Sequence, residues 1–368
     1  MTVSGTALAC RELRLRRFRN FPELDLSFPA AGVAVIGNNG SGKTNLLEAL
    51  YYLEIFRSFR GAPDEQLTRF GSDAFYLRGV FQEVGSGRER EITAAYEPRT
   101  GRKRVTIDGV EPDRLGEAIG QVGAVVFSPG DVSLVAGSPG ERRRFLDIVL
   151  SLNVPGYLEA LQRYRQVLRQ RNALLRAGTT GPALSAWNDG LVAWGSRIVA
   201  ARAAWVEAHA ASFANRFAEI GGSPPACLGY RPGLHLDEGA SLSVDAAARA
   251  LDEAICRAEP RERERRLTLA GPHRDDLAMT ANGPDGEIDL RDFGSGGQLR
   301  TAAIALRLVE AETIRAARGR PPLILLDDVF AELDPGRSRR VLDTLVAQER
   351  GQVVVTAPKE SDLGLGHD

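Results

Sequence analysis

Lysine is nearly absent from this chain of 368 residues. Only Lys43, Lys103 and Lys359 occur among the 47 basic residues, so arginine supplies almost all of the positive charge. Arginine suits phosphate recognition, although a bias toward arginine codons explains the composition more simply. The net charge of −1 gives no overall electrostatic case for binding nucleic acid or membrane. Any site for a polyanion must therefore be local.

Cysteine is scarce as well. Cys10, Cys227 and Cys256 are scattered and form no Cys-x-x-Cys pair, which argues against a disulfide framework or a zinc site and favours a reducing compartment. No apolar run approaches the roughly 18 residues of a membrane-spanning helix. The N-terminus carries charges where a signal peptide needs a hydrophobic run. We expect a cytoplasmic protein without a membrane partner, and its length predicts two domains or lobes.

The most informative stretch is a glycine-rich loop at residues 37–44. It follows Gly32–Ile36, which we predict to be a buried strand, and precedes leucines at helical spacing in residues 45–56. Strand, loop and helix in this order are the context of a phosphate-binding P-loop. The predicted nucleotide-binding residues are Gly37, Asn38, Asn39, Gly40, Ser41, Gly42, Lys43, Thr44 and Asn45.

The glycines of this loop allow backbone N–H groups to turn toward a di- or triphosphate, and the helix N-terminus adds partial positive charge. Lys43 would reach the β- and γ-phosphates and also serve as a catalytic residue, whereas Thr44 would place its hydroxyl on Mg²⁺. The alternative, a glycine-rich turn that binds nothing, fits the complete eight-residue pattern poorly. The sequence therefore predicts a nucleotide-binding protein.

Other segments outline the architecture. We predict a hairpin at 8–28, antiparallel strands at 75–84, 90–97 and 103–107, a core strand at 122–127, helices through 140–220 and 251–266, a loop-rich segment at 221–239, and strands at 266–270 and 277–280. The aromatic residues of the helical segment suit a base-stacking platform less well than packing between helices.

A second half of the nucleotide site is predicted near the C-terminus. Residues 323–328 form an apolar strand that ends in two carboxylates. Asp327 would hold Mg²⁺, and Asp328 would orient or deprotonate the attacking water as a catalytic residue. Polar caps on strand ends are common, but the preceding P-loop favours the metal-binding interpretation.

A serine-glycine-glycine-glutamine turn opens a long helix between these two motifs. The residues are Ser295, Gly296, Gly297 and Gln298, with Ser295 as the expected N-cap. Such a helix start can bind an anion, and it is most useful as a sensor of a neighbouring subunit's γ-phosphate. This predicts an ATP-dependent homodimer with two composite sites.

The chain resembles the ABC-type ATPase superfamily through these motifs, with residues 37–44 as Walker A, 295–298 as signature motif, 323–328 as Walker B and 332–334 as D-loop. Within that superfamily it is similar to the RecF family over nearly its full length. The supporting stretches are residues 15–21, 57–60, 126–129, 137–139 with 142–147, and 271–277.

The resemblance implies an α/β fold, an ABC-type ATPase head of mixed β-sheets with flanking helices and an inserted α-helical arm. The expected boundaries are 1–137 and 263–368 for the head and 138–262 for the arm. It also implies a weak DNA-dependent ATPase that uses ATP and Mg²⁺ and binds duplex or gapped DNA and single-strand/duplex junctions. RecR, RecO and RecA would be its pathway partners. Asp334 would join the nucleotide site, and Arg57 and Arg60 are candidates for phosphate contacts.

Some positions depart from the superfamily pattern. Asp328 stands where many relatives place Glu, which suggests slow hydrolysis, and Thr356 stands where transporters place a switch histidine. No obvious Q-loop glutamine follows the strand ending at Phe127, and Gln121 lies too early to serve as one. His273 suits a structural or a nucleotide-proximal role, and metal ligation less well.

Three alternatives remain open at this point. An SMC-like chromosome protein would need hundreds of residues of heptads between the two ATPase motifs. The ATP-binding subunit of a membrane transporter would be shorter and would usually carry a switch histidine. A scaffold that uses ATP only to dimerise is compatible with the sequence, because Asp328 is a poor base in that interpretation.

Overall fold

The computed structural model describes residues 7–222, 224–234, 242–283, 286–332, 335–348 and 351–360. The strands are β1 (Leu8–Phe18), β2 (Phe21–Ser27), β3 (Gly32–Ile36), β4 (Phe75–Glu83), β5 (Glu89–Glu97), β6 (Arg102–Ile107), β7 (Ala124–Phe127), β8 (Ala226–Arg231), β9 (Asp276–Gly283), β10 (Gly286–Asp289), β11 (Leu323–Asp327) and β12 (Val353–Ala357). The helices are α1 (Lys43–Ile55), α2 (Asp64–Leu67), α3 (Leu115–Ala118), α4 (Ser133–Ala136), α5 (Pro139–Asn153), α6 (Tyr157–Arg176), α7 (Pro182–Ser185), α8 (Asn188–Gly221), α9 (Val244–Arg265), α10 (Leu290–Phe293), α11 (Gly296–Arg318) and α12 (Pro335–Gln348).

The chain forms two compact units. The first contains Met1–Asp131 and Leu306–Asp368, and the second contains Val132–Ala305. A helix-rich segment is therefore inserted in sequence between the two parts of the first unit. The second unit continues past residue 262, where the predicted arm ends, because β8, β9 and β10 form a separate antiparallel sheet.

Two sheets build the first unit. An antiparallel sheet has the order β2-β1-β4-β5-β6, and its β1–β2 hairpin pairs Phe18 with Phe21. A parallel sheet has the order β3-β12-β11-β7. The carboxyl ends of parallel strands meet at one edge of a sheet. The P-loop after β3, Asp327 at the end of β11 and Thr356 near the end of β12 therefore approach one another.

Helix α1 is the central packing element of the first unit. Every residue from Leu46 to Ile55 is buried, which fits a helix that contacts both sheets. Its two buried glutamates have partners: Glu48 pairs with Arg19, and Glu54 accepts hydrogen bonds from the backbone of residues 122 and 123. The predicted strand β3 is present, but its predicted burial was wrong. Ile36 is 49% exposed, because β3 pairs with β12 only.

The second unit packs its helices through apolar stripes and buried ion pairs. Leu161, Tyr164 and Leu175 are buried on α6. Trp205 of α8 stacks on His209 and contacts the edge of Phe145, so this tryptophan packs internally. The packing interpretation therefore holds for Trp205.

Two elements of this unit differ from the sequence prediction. Residues 266–270 are irregular and not a strand, because side chains satisfy their backbone: Asn172 accepts from the Thr268 N–H and Glu262 from the Leu269 N–H. The segment predicted to be loop-rich contains the short strand β8, which pairs with β9. Side-chain hydrogen bonds at residues 266–270 and strand pairing at β8 outweigh the local propensities of these two segments.

His273 is a half-buried structural histidine of the second unit. Its Nδ1 lies 2.7 Å from the hydroxyl of Tyr164, and its Nε2 lies 3.1 Å from the carbonyl oxygen of Thr268. This arrangement fits a neutral ring in which Nε2–H donates to Thr268 and Nδ1 accepts from Tyr164. Burial lowers the pKa of His273 from 6.5 to about 4. Both ring nitrogens are used inside the unit.

We predict that replacing His273 with Gln flattens the acid dependence of stability. Between pH 6.5 and about 4 the unfolded chain protonates this histidine and the folded chain does not, so the free energy of unfolding falls as the pH falls. The steepest contribution is about 1.4 kcal/mol per pH unit. Urea unfolding of both proteins across this range measures the difference. If the free energies of unfolding of the two proteins changed equally with pH, the lowered pKa of His273 would be contradicted.

Candidate nucleotide site of the first unit

The P-loop backbone adopts conformations that require glycine. Gly40 and Gly42 have φ angles of 82° and 103°. A Cβ on Gly42 would also lie 2.5 Å from the side-chain amide of Asn20, which follows β1. Asn20 donates to the carbonyl oxygen of Ser41 at 3.2 Å, so the tip of the β1–β2 hairpin fixes the loop from one side.

Lys43 is folded back onto the loop that precedes it. Its Nζ donates to the carbonyl oxygens of Gly37, at 2.8 Å, and of Asn38, at 3.3 Å. It also lies 3.9 Å from Oδ2 of Asp328, and only 5% of its side chain is exposed. The ammonium group is therefore held at the mouth of the P-loop, where a phosphate chain would compete for its donors.

Thr44 and Asp327 form the candidate metal pair. The Thr44 hydroxyl donates to Oδ1 of Asp327 at 2.9 Å, although 283 residues separate them in sequence. Burial raises the pKa of Asp327, while the hydrogen bonds from Thr44 and Thr356 oppose this effect. One hydroxyl and one carboxylate, with room left for water and phosphate oxygens, match the oxygen ligands that Mg²⁺ prefers. The donor set fits that metal.

Asp328 lies beside this pair in a strained backbone conformation. Its φ is 48°, in the left-handed region that costs a non-glycine residue free energy. The backbone N–H of Asp328 donates to the Thr356 hydroxyl at 3.1 Å, and that hydroxyl lies 3.1 Å from Oδ1 of Asp327. Thr356 thus connects both carboxylate residues. In the sequence, Thr356 occupies the position at which transporters have a switch histidine. Only the structure shows its hydrogen bonds with Asp327 and Asp328.

The remaining predicted contacts of this unit divide into two groups. Asn45 donates to Asn20 at 2.8 Å, and Arg60 reaches the side-chain oxygen of Asn45 at 3.4 Å, so both lie next to the loop. Arg57 is exposed, and among the described residues it forms no hydrogen bond or ion pair with the P-loop. The structure therefore connects Arg60 to the loop through Asn45, whereas a phosphate contact of Arg57 stays a prediction.

Sequence reasoning missed a recess beside the P-loop. It has a volume of about 660 Å³, and its lining includes Asn20, Asn45, Arg60, Arg69 and the exposed ring of Phe70. Arg69 donates to the backbone oxygen of Asn20 at 2.6 Å. The available signal was the turn at Asn20, because the predicted hairpin that contains it precedes the P-loop strand in sequence.

The signature segment lies in the second unit and forms a reciprocal capping box. The N–H of Gln298 donates to the Ser295 hydroxyl at 3.2 Å, and the Ser295 N–H donates to the Gln298 side chain at 2.9 Å. Ser295 is the N-cap, as predicted. A Cβ on Gly296 would meet nothing within 4 Å, so this helix start is open. Gly297 follows it in the first turn of α11, and the predicted D-loop residue Asp334 lies outside the described residues.

The basic runs at 102–104 and 142–144 are candidates for DNA contact in the sequence, but one residue of each is engaged internally. Lys103 donates to the Phe56 carbonyl oxygen and pairs with Asp64, and Arg142 is almost fully buried against Asp276. In the described part of the chain no cluster of three or more His, Cys, Asp or Glu side chains could hold a metal ion. Among the described helices, none combines the length and apolar character that a membrane span requires.

Comparison with known proteins decides the family. The model of the RecF/RecN/SMC N-terminal domain matches residues 9–364. The DNA replication and repair protein RecF of Salinibacter ruber is 36% identical over 94% of this chain and 84% of its own length. The chain belongs to the RecF family. RecF proteins of Halalkalibacterium halodurans and Myxococcus xanthus are 35% and 37% identical, each over 94% of the chain, with 91% and 89% of their own lengths covered.

Solved structures agree with this RecF-family assignment. The structure described as "recombination mediator protein RecF-ATP in RecFOR pathway" is 30% identical, has a TM-score of 0.88 and aligns over 97% of this chain and 94% of its own. An Smc head domain from Pyrococcus furiosus is 16% identical with a TM-score of 0.55, over 97% of this chain and 91% of its own. The fold is therefore that of a RecF- and SMC-type ATPase head, as predicted.

Proposed function

We propose that this RecF-family chain is a cytoplasmic, ATP-dependent recombination mediator. It dimerises on ATP, binds gapped or duplex DNA, and promotes loading of RecA together with RecR and RecO. The observation that carries the proposal is the convergence of Lys43, Thr44 and Asp327 at one edge of the parallel sheet. The RecF structures described with ATP and ATPrS support the choice of nucleotide.

The nucleotide chemistry follows from the side chains at this edge. Lys43 would exchange its bonds to Gly37 and Asn38 for bonds to β- and γ-phosphate oxygens. Thr44 and Asp327 would hold Mg²⁺, which would supply positive charge to the phosphates. Asp328 orients or deprotonates the attacking water. Its carboxylate lies near Lys43 on a shorter side chain than Glu, which favours slow hydrolysis.

The open capping box at Ser295 supports the dimer. The backbone N–H groups of Gly296 and Gly297 and the helix dipole suit a γ-phosphate, because the N–H groups of Ser295 and Gln298 already donate within the box. Lys43 already serves that function within the same chain. A head-to-tail pair would place each Ser295 on the nucleotide of the partner. ATP would then link two copies, and hydrolysis would release them.

The DNA component is tested by fluorescence anisotropy with a labelled gapped duplex. We expect binding that requires ATP with Mg²⁺ and rises steeply with protein concentration, because two copies close together on the DNA. An intact duplex of equal length is the control for the gap. The absence of DNA binding in every nucleotide state would reject the proposed function.

Thr356 provides a test of hydrolysis. We predict that Thr356→Val lowers kcat for ATP about tenfold and leaves KM within about threefold, because the aligned carboxylates lose their shared hydroxyl while the P-loop is unchanged. Thr356→Ser keeps the hydroxyl and should retain most of the rate. Equal kcat in the Val variant and the parent would contradict a positioning role. A parent without measurable hydrolysis would favour the ATP-dependent scaffold instead.

A further inference from the structure

A cavity of about 240 Å³ is lined entirely by residues of the second unit. Its walls come from α5, α6, α8 and the turn at Pro272–Arg274. Four arginines line it, namely Arg143, Arg144, Arg165 and Arg202, together with the single carboxylate of Asp147. His273 also lines the cavity, but it is neutral at physiological pH because its pKa is about 4. The lining thus carries four guanidinium groups and one carboxylate.

Asp147 has little capacity left to balance that charge. Its Oδ1 accepts from Arg202 and from the Tyr157 hydroxyl, each at 2.7 Å, and its Oδ2 accepts from Arg165 at 2.9 Å. Behind the lining, Asp275 is fully buried and pairs with Arg202. Asp147 and Asp275 are therefore already paired with Arg202 and Arg165.

Arg143 is left without a carboxylate partner of its own. Its one hydrogen bond to a described residue goes from Nη1 to the backbone oxygen of Asp275 at 2.7 Å, and no described carboxylate lies within ion-pair distance. Burial and the charge of Arg202 lower the pKa of Arg143, and this outweighs the attraction of Asp147, Asp275 and Asp276. A partly buried cation without a counter-charge is costly, and a bound anion would remove that cost.

We propose that this cavity binds a phosphate group through Arg143 and its neighbouring arginines. Several guanidinium forks around one recess suit a divalent, multi-oxygen anion better than a single carboxylate. Gly140, in the first turn of the 15-residue helix α5, also lines the cavity, so the helix N-terminus adds favourable charge. The volume admits a phosphate with a small organic group, and the phosphate comes either from a small molecule or from a DNA strand.

Inorganic phosphate is the first probe, with the full chain carrying Lys43→Met so that the P-loop contributes little. We expect phosphate to raise the unfolding temperature with saturation at constant ionic strength. Arg143→Gln and Arg165→Gln should each weaken this effect at least tenfold. Arg163→Gln is the matched control, because Arg163 is an exposed residue of α6 that pairs with Glu159. An unsaturable effect of equal size in all variants would overturn the proposal, since it would reflect general salt stabilisation.

Arginine modification by phenylglyoxal, followed by peptide mass spectrometry, locates the site and its ligand source. Phosphate should slow the modification of Arg143 at least fivefold and leave Arg163 unchanged. Protection of the Lys43→Met chain by inorganic phosphate alone identifies a small phosphorylated ligand. Protection of the parent chain, with ATP and Mg²⁺ present, by an oligonucleotide at far lower phosphate concentration identifies a DNA strand; this arm rests on the proposed function, which requires ATP for DNA binding. Equal modification of Arg143 under all conditions would overturn the proposal. The inorganic-phosphate outcome is independent of the nucleotide site, because Lys43 is already replaced.

Discussion

Replacing Lys43 with Met is expected to weaken ATP binding at least a hundredfold. The ammonium group is held by two backbone carbonyls at the mouth of the P-loop. Loss of charge-assisted hydrogen bonds to two phosphates corresponds to about 3 kcal/mol or more. Calorimetric titration with ATP and Mg²⁺ measures the change.

The matched control for this variant is its stability without nucleotide. Methionine keeps the length and most of the buried stem of Lys43, so urea unfolding should shift by no more than about 1 kcal/mol. Lys103→Met is a second control, because Lys103 pairs with Asp64 and is not predicted to contact ATP. Unchanged ATP affinity in Lys43→Met would show that the loop does not bind the nucleotide as proposed.

Ser295→Arg is expected to abolish ATP-dependent dimerisation while the monomer still binds ATP within about threefold of the parent affinity. The arginine would fill the open helix start that the proposal assigns to the partner's γ-phosphate. The P-loop of the Ser295→Arg chain is unchanged. Analytical ultracentrifugation should show a 39.8 kDa species in every nucleotide state, whereas the parent with ATP and Mg²⁺ should double in mass.

Loss of the helix cap must be separated from loss of the interface. Removing an N-cap hydroxyl typically costs about 1 kcal/mol of stability, and this cost alone should not prevent dimerisation. Ser295→Ala removes the cap without adding bulk or charge, so it should dimerise more weakly than the parent but better than Ser295→Arg. Equal loss of ATP affinity in Lys43→Met and Ser295→Arg would contradict a site shared between two copies.

The sequence was sufficient to predict the local structure around the candidate nucleotide site. Residues 37–44 require a strand before them and a helix after them, and both are present as β3 and α1. The apolar strand that ends at Asp327 pairs with β7 and β12, which places its carboxylate beside Thr44. Ser295 caps α11 because its spacing to Gln298 is a local property of the chain.

Contacts between distant segments could not be predicted in the same way. Asn20 reaches the P-loop through the turn of the β1–β2 hairpin, and Thr356 reaches Asp327 through the strand order β12-β11. Arg142 belongs to an arginine-rich run that suggests a DNA surface, yet it is buried against Asp276. Residues 266–270 have the composition of a strand, but the side chains of Asn172 and Glu262 occupy their backbone donors.

The composite dimer is the central claim, and mixing the two inactive variants tests it most directly. Lys43→Met retains a complete Ser295 segment, and Ser295→Arg retains a complete P-loop, so one intact composite site can form only between them. With ATP and Mg²⁺, native mass spectrometry of differently tagged variants should detect the mixed dimer, while each variant alone stays monomeric. Failure of the mixture to associate, when the parent dimerises under the same conditions, would contradict the account.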